Sequence, residues 1–176
     1  STRTGIAGFP DLLLRAWDEM ELTAVLTLNG TPTVYVSDST KPINPAKAAE
    51  RQCQFWNQGL ATVLLLRDPG RLRVFSSMVP PISQVTATAV DVNSLTVEKI
   101  NLATQAAWAE KFYLELGNGH YYAKHAAKFD PRESVDAYLI DNLESVRDVL
   151  TSGKSKLSPS MAHAFLGRIL FTCYLC

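Results

Sequence analysis

Apolar residues fall on two different periods along this chain. Residues 10–20, PDLLLRAWDEM, place Leu13, Leu14, Trp17 and Met20 on one side of a helical wheel, and Pro10 suits a first turn. LTAVLTL (22–28) and TPTVYVS (31–37) then alternate around Asn29-Gly30, a pair that tolerates positive φ and so predicts a hairpin with Leu22, Ala24, Leu26 and Leu28 on one face. A polar tract, SDSTKPINP (37–45), leads into a helix over 45–58. Its apolar side carries Ala48, Ala49, Cys53 and Trp56, and Gly59 stops it. ATVLLLR (61–67) and RLRVFSSM (71–78) flank Asp68-Pro69-Gly70, a second turn in which Pro fixes φ and Gly supplies the awkward conformation. The unbroken VLLL predicts a central strand buried on both faces. Pro80-Pro81 ends the run because neither residue can donate to a ladder.

Beyond the prolines, VTATAVDV (85–92) reads as a further strand or an extended arm, and from residue 98 the pattern is helical. EKINLATQAAWAEKFYLEL forms one helix and ESVDAYLIDNLESVRDVLTSG a second, stopped by Gly153. PSMAHAFLGRILFTCYLC forms a third, with Ser158 as N-cap and Pro159 in the first turn. The expected class is α+β: a small mixed sheet with flanking helices over 1–96, then a helical segment over 97–176. The last helix is apolar on most sides. Phe165, Ile169 and Thr172 share one row, Ala162, Leu166 and Leu170 another, and Met161, Phe171, Tyr174 and Leu175 widen the surface. Arg168 and His163 alone supply strong polarity. Such a helix is made for burial on several faces, so helix 159–176 is expected to self-associate or to insert against a neighbour.

At 176 residues, with 47% hydrophobic and 19% charged residues, the chain can bury a sizeable core. Its formal net charge is zero, so no global basic field announces a nucleic-acid partner. A local one remains. Arg67, Arg71 and Arg73 surround the second turn and could touch phosphates, although arginines beside a hairpin more commonly form a solvated face. Three cysteines are too few for a disulfide framework and point to a reducing cytoplasm. No stretch approaches the roughly 20 apolar residues that would span a bilayer, so no membrane partner is expected. The chain starts Ser-Thr-Arg and stops on Leu175-Cys176, and both ends look cut.

The order helix, hairpin, helix, hairpin resembles the core of Mg²⁺-dependent nucleases of the PD-(D/E)XK type. That chemistry needs two carboxylates at adjacent strand ends and a lysine two residues after the second acid. Pro10-Asp11 sits on a helix, the wrong element. Asp38 stands at a strand end with Lys41 three residues on, and no Asp or Glu of the chain has a lysine two residues later. A degenerate scaffold is the better description, and Mg²⁺ enters only if an intact nuclease used Asp38 with an acid such as Glu50. Cys173 and Cys176 have the spacing of half a zinc site, but Cys53 is the one remaining thiol, so a core helix accounts for them. His120 and His125 read as surface or capping residues. Gly117-Asn118-Gly119 reads as a helix stop and turn, not a phosphate cradle.

Two longer stretches carry a wider resemblance. AERQCQFWNQGLATVLLLRDPGRLRVFSS is one. FDPRESVDAYLIDNLESVRDVL (129–150) followed by SPSMAHAFLGRILFTCYLC is the other. Together they resemble the N-terminal regions of bacterial N6-adenine DNA methyltransferases of restriction–modification systems, of the type I modification-subunit-like and fused type IIG kinds. The resemblance covers roughly 45–176, and its signature positions here are Trp56, Asn57, Gly59, Asp130, Asn142, His163, Gly167 and Arg168. They read as architectural: Trp56 closing a helix face onto the sheet, Asn57 capping freed carbonyls, Gly59 allowing the turn. The family's Gly-rich S-adenosylmethionine loop is absent, and Val79-Pro80-Pro81-Ile82 lacks the flanks of its catalytic motif. The resemblance therefore implies a non-catalytic N-terminal piece that positions DNA or contacts a following methyltransferase domain, where S-adenosylmethionine would bind; the piece itself takes no cofactor. The rival readings are the intact nuclease and an interaction module with no nucleic-acid role.

Overall fold

The computed structural model describes residues 11–83, 87–152 and 156–175, so the expectations for Pro10, Gly153 and Cys176 lie outside the described residues. Helix α1 (Asp11–Glu19) buries Leu13, Ala16 and Trp17. Strands β1 (Ala24–Leu28) and β2 (Thr31–Asp38) form the antiparallel hairpin, and its turn residues Asn29 and Gly30 both adopt positive φ, 52° and 81°. Both faces of β1 meet apolar neighbours, Val25 in one core and Leu28 against the other. Val25, opposite Tyr35 in register, is fully buried, while Leu26 is 38% exposed where the ladder shifts between Leu26 and Thr27. A slip at an irregular edge strand exchanges which side chains meet the core.

Helix α2 (Pro45–Gln58) crosses from β2 to β3 (Val63–Asp68), which runs parallel to it. Asn44 caps α2 by accepting from Lys47 N, and Pro45 occupies the first turn. β4 (Arg71–Ser76) returns antiparallel to β3, and the sheet order is β1-β2-β3-β4-β5. As the apolar run predicts, β3 is buried on both faces. Leu64 and Leu66 pack with Tyr35, Phe55 and Phe75 beneath α1 and α2. Val63 and Leu65 pack with Val34, Val74 and Phe112 on the other side. Alternation along the strand thus feeds two separate cores.

Residues 87–100 differ from expectation. They form a short helix, α3 (Ala89–Leu95), and a fifth strand, β5 (Thr96–Ile100), antiparallel to β4. Thr88 and Asp91 make a reciprocal capping box that starts α3. TVEKI then alternates, with Thr96 and Ile100 buried, and the open edge of β4 supplies its ladder. Pairing along that edge outweighs the helical pattern that starts the following helix at residue 98. Helix α4 (Gln105–Gly117) follows a single 3₁₀ turn, and α5 (His120–Lys124) follows Gly119, whose φ is +79°. The fold is α+β, a five-stranded mixed sheet with flanking helices and a C-terminal helical segment. The expected boundary after residue 96 falls inside β5. The chain divides instead into two compact units meeting at Val135 and Asp136, because α4 and α5 pack on the sheet. The second unit holds α6 (Val135–Ser152, its first residue counted with the first unit) and α7 (Pro159–Leu175).

The tetrapeptide Trp56-Asn57-Gln58-Gly59 is a junction. Trp56 Nε1 donates to the Glu133 carbonyl at 3.0 Å, tying the end of α2 to residues 131–133. Gln58 Oε1 accepts from the Tyr35 hydroxyl at 2.9 Å and from Leu60 N. Asn57 does not cap carbonyls; its Nδ2 reaches Cys53 Sγ at 3.5 Å. Gly59 closes α2 at φ +66°, the left-handed region where a side chain clashes with its own backbone. Gly59→Ala is accordingly expected to destabilise the protein by about 1–2 kcal/mol. Gly117→Ala, at a helical position with nothing within 4 Å of the new methyl, should instead stabilise it by about 0.4–1 kcal/mol. Urea unfolding midpoints check both signs.

Candidate nucleic-acid interface

The carboxyl ends of the parallel strands β2 and β3 gather most of the expected chemistry. Register places Asp38 beside Arg67, and the two form an ion pair at 2.9 Å with both side chains partly exposed. One residue further, alternation turns Asp68 inward. Its Oδ1 accepts from Gly70 N at 2.9 Å and Arg71 N at 3.1 Å, which builds the Asp-Pro-Gly turn. Its Oδ2 accepts from Ile43 N at 3.3 Å and from Arg73 Nη1 at 3.3 Å, with Arg71 Nε at 3.8 Å.

Arg73 corrects the expectation of a phosphate-contacting face. Although Arg71 and Arg73 share a face by alternation, only Arg71 reaches solvent, its side chain 51% exposed against 4% for Arg73. Arg73 Nη2 donates to the Ile43 carbonyl at 3.5 Å, so the Asp68–Arg73 pair holds both backbone groups of Ile43. Burial lowers the Arg73 pKa, Arg71 lowers it further, and Asp68 opposes both. The guanidinium stays charged because its ordinary pKa lies so far above neutrality.

Around this clamp the loop 39–44 borders open cavities, among them a small one of about 270 Å³ against Arg67, Asp68 and Pro69. Another, of about 390 Å³, is lined by Glu21, Asp38, Ser39, Thr40, Lys47 and Arg51 among others, so acidic and basic residues both border it. A third, of about 320 Å³, lies between Pro42–Pro45, Arg71, Arg73 and the start of α3. Arg51 is almost fully buried, donating to the Glu19 carbonyl at 2.7 Å and pairing with Glu21 at 2.6 Å. Glu50, the acid weighed with Asp38 for a nuclease, pairs instead with Lys47 at 3.1 Å. Among the described residues no three His, Cys, Asp or Glu side chains cluster as metal ligands.

The remaining signature positions lie elsewhere. Asp130 caps the 3₁₀ turn at Pro131–Glu133 and grips Arg132 through both carboxylate oxygens, which lowers its pKa. Asn142 is exposed on α6. His163 and Gly167 line a shallow cavity with Leu143, Glu144, Arg147, Leu166 and Leu170, and Arg168 is exposed on α7. His125, expected at the surface or at a cap, is half-buried and stands at the cap that closes α5, its backbone N–H donating to the Tyr121 carbonyl. Its ring lies 4.7 Å from Tyr121, and both its Nε2 and the Tyr121 hydroxyl are enclosed without a hydrogen-bond partner. Burial, then the Glu98 and Glu115 carboxylates, push the Tyr121 phenol up.

Comparison with family models, curated proteins and solved structures finds no match to this chain. Among the described residues no helix is long and apolar enough to cross a membrane.

Two outcomes follow from these contacts. Asp68→Asn or Arg73→Met alone strands a buried charge and is expected to cost about 3–5 kcal/mol. The double variant should cost clearly less than the sum of the two, which a double-mutant cycle from urea unfolding measures. His125 carries a pKa lowered by burial and by Lys124, with Glu98 and Glu115 opposing. A folded pKa below the unfolded value of about 6.5 means the unfolded chain binds the extra proton. Stability is therefore full above that value and falls as pH drops below it. His125→Gln should flatten this part of the pH–stability curve.

Proposed function

We propose that this chain is a non-catalytic DNA-positioning part of a site-specific adenine DNA methyltransferase of a bacterial restriction–modification system. The observation that carries the reading is the state of the strand-end acids. Asp68 is committed to two turn amides, to Ile43 N and to Arg73, and Asp38 to Arg67. Carboxylates so engaged serve architecture, and what they leave facing solvent on that edge are Arg67 and Arg71 with Lys47 nearby. Side chains of this kind fix a duplex in place through its phosphates without reading sequence. Support for the methyltransferase context comes from the Trp56–Gly59 and Ala162–Arg168 stretches and their order along the chain.

Fluorescence anisotropy with a labelled duplex at low salt tests the proposal. Binding is expected to weaken steeply with salt, and each of Arg67→Ala and Arg71→Ala should lower the slope of log K against log salt by about 0.9 if that arginine meets a phosphate. Salt-independent binding, or no loss in either variant, would sink the assignment. In the same preparation, Mg²⁺-dependent plasmid nicking that vanishes in Asp38→Ala would promote the nuclease reading in its place.

A further inference from the structure

Arg71 and Arg73 share one carboxylate, that of Asp68, and neither holds it closely. Arg73 Nη1 lies 3.3 Å from Oδ2 and Arg71 Nε 3.8 Å, where a charge-assisted bond to a carboxylate ordinarily closes to about 2.7–2.9 Å. The oxygens of Asp68 are divided among other donors, the amides of Gly70, Arg71 and Ile43. Neighbouring cations differ: Arg67 has Asp38 at 2.9 Å, Lys47 has Glu50 at 3.1 Å and Arg51 has Glu21 at 2.6 Å. Both under-engaged arginines line the cavity of about 320 Å³ between the loop 39–44 and α3, and no acid lines it with them. Asp91, the acid of α3, is turned to its cap, where Thr88 N and Oγ1 donate to it. Among the lining residues and Asp68, one positive charge therefore stands in excess. The cavity runs from a solvent-facing arginine, 51% exposed, to a sealed one, 4% exposed. Asn93 adds a neutral polar group, and Ile43, Ala89 and Val92 supply apolar wall.

We propose that this cavity binds a small monocarboxylate with a short apolar body, the carboxylate between Arg71 and Arg73 and the body against Ile43, Ala89 and Val92. One anionic charge completes the balance that Asp68 leaves open. A planar carboxylate also offers an oxygen to each of two guanidinium forks, at the spacing such groups favour. Apolar walls with a few convergent polar groups are the usual make-up of small-molecule sites, and the volume lies near the lower end of their range of about 300–1,000 Å³. Inorganic phosphate would leave the apolar wall unused.

No nucleic acid enters the test, so its outcome is separate from that of the DNA reading. NMR titrations of the isotope-labelled chain use isovalerate and benzoate as probes, with isovaleramide as the uncharged isostere and inorganic phosphate as the anion without an apolar body. At least one of the two carboxylates is expected to saturate a single site, with shift changes gathered at the amides of Ile43, Arg71, Arg73, Val92 and Asn93. Isovaleramide and phosphate should bind about tenfold more weakly or not at all. Arg71→Gln should weaken the carboxylate by about tenfold or more, as the loss of a charge-assisted bond implies. Because replacing Arg73 strands Asp68, the second variant is Ala89→Asp. Ala89 is exposed in the first turn of α3, where an acid is favourable, so the fold is kept while a negative charge enters the wall. That variant should lose binding, with circular dichroism confirming an unchanged fold. The absence of a saturable carboxylate site, shifts centred elsewhere, isovaleramide or phosphate binding as tightly as the carboxylates, or indifference to both variants would each overturn the proposal.

Discussion

The Asp68–Arg73 ion pair is the constraint around which the sheet edge is organised. A carboxylate and a guanidinium removed from water stabilise a fold only when their remaining hydrogen-bonding positions are filled. Here they are filled by backbone: the amides of Gly70 and Arg71 on one side, and both polar groups of Ile43 on the other. One pair therefore shapes the β3–β4 turn and pins the loop that delivers Asn44 and Pro45 to the start of α2. The Ile43 side of the two larger cavities is held by that clamp.

Much of the scaffold was legible because period and punctuation agreed there. Asn29-Gly30, Asp68-Pro69-Gly70 and Gly59 each sit where the backbone needs them, and the VLLL run could belong only to a strand covered twice. The region 87–100 was less legible, because its strand exists by virtue of the β4 edge beside it and its local pattern runs on into a helix. A cue was present in Thr88 and Asp91, three residues apart, which form the capping box of α3.

Charged residues in the site were harder to read than apolar ones. Arg67, Arg71 and Arg73 look alike in sequence, yet one is half-exposed beside Asp38, one half-exposed at a turn and one sealed against Asp68. Alternation gives the face of a strand but not whether a loop covers it, and the loop 39–44 is what removes Arg73 from solvent. Arg51 escaped notice for a related reason: its partners, the Glu19 carbonyl and the Glu21 carboxylate, belong to another element.

The bond between Trp56 and Glu133 spans 77 positions of the chain. A contact of that reach closes a large loop, and the entropy of closure is met only when both ends are available. During synthesis, α2 can form and the β2–β3 pairing can begin well before residue 133 has emerged. The indole cannot make this bond until the chain has been extended by more than two-fifths of its length beyond Trp56. The Trp-Asn-Gln-Gly junction is thus a late closure, joining an early-made sheet to a segment that arrives near the end of the first unit.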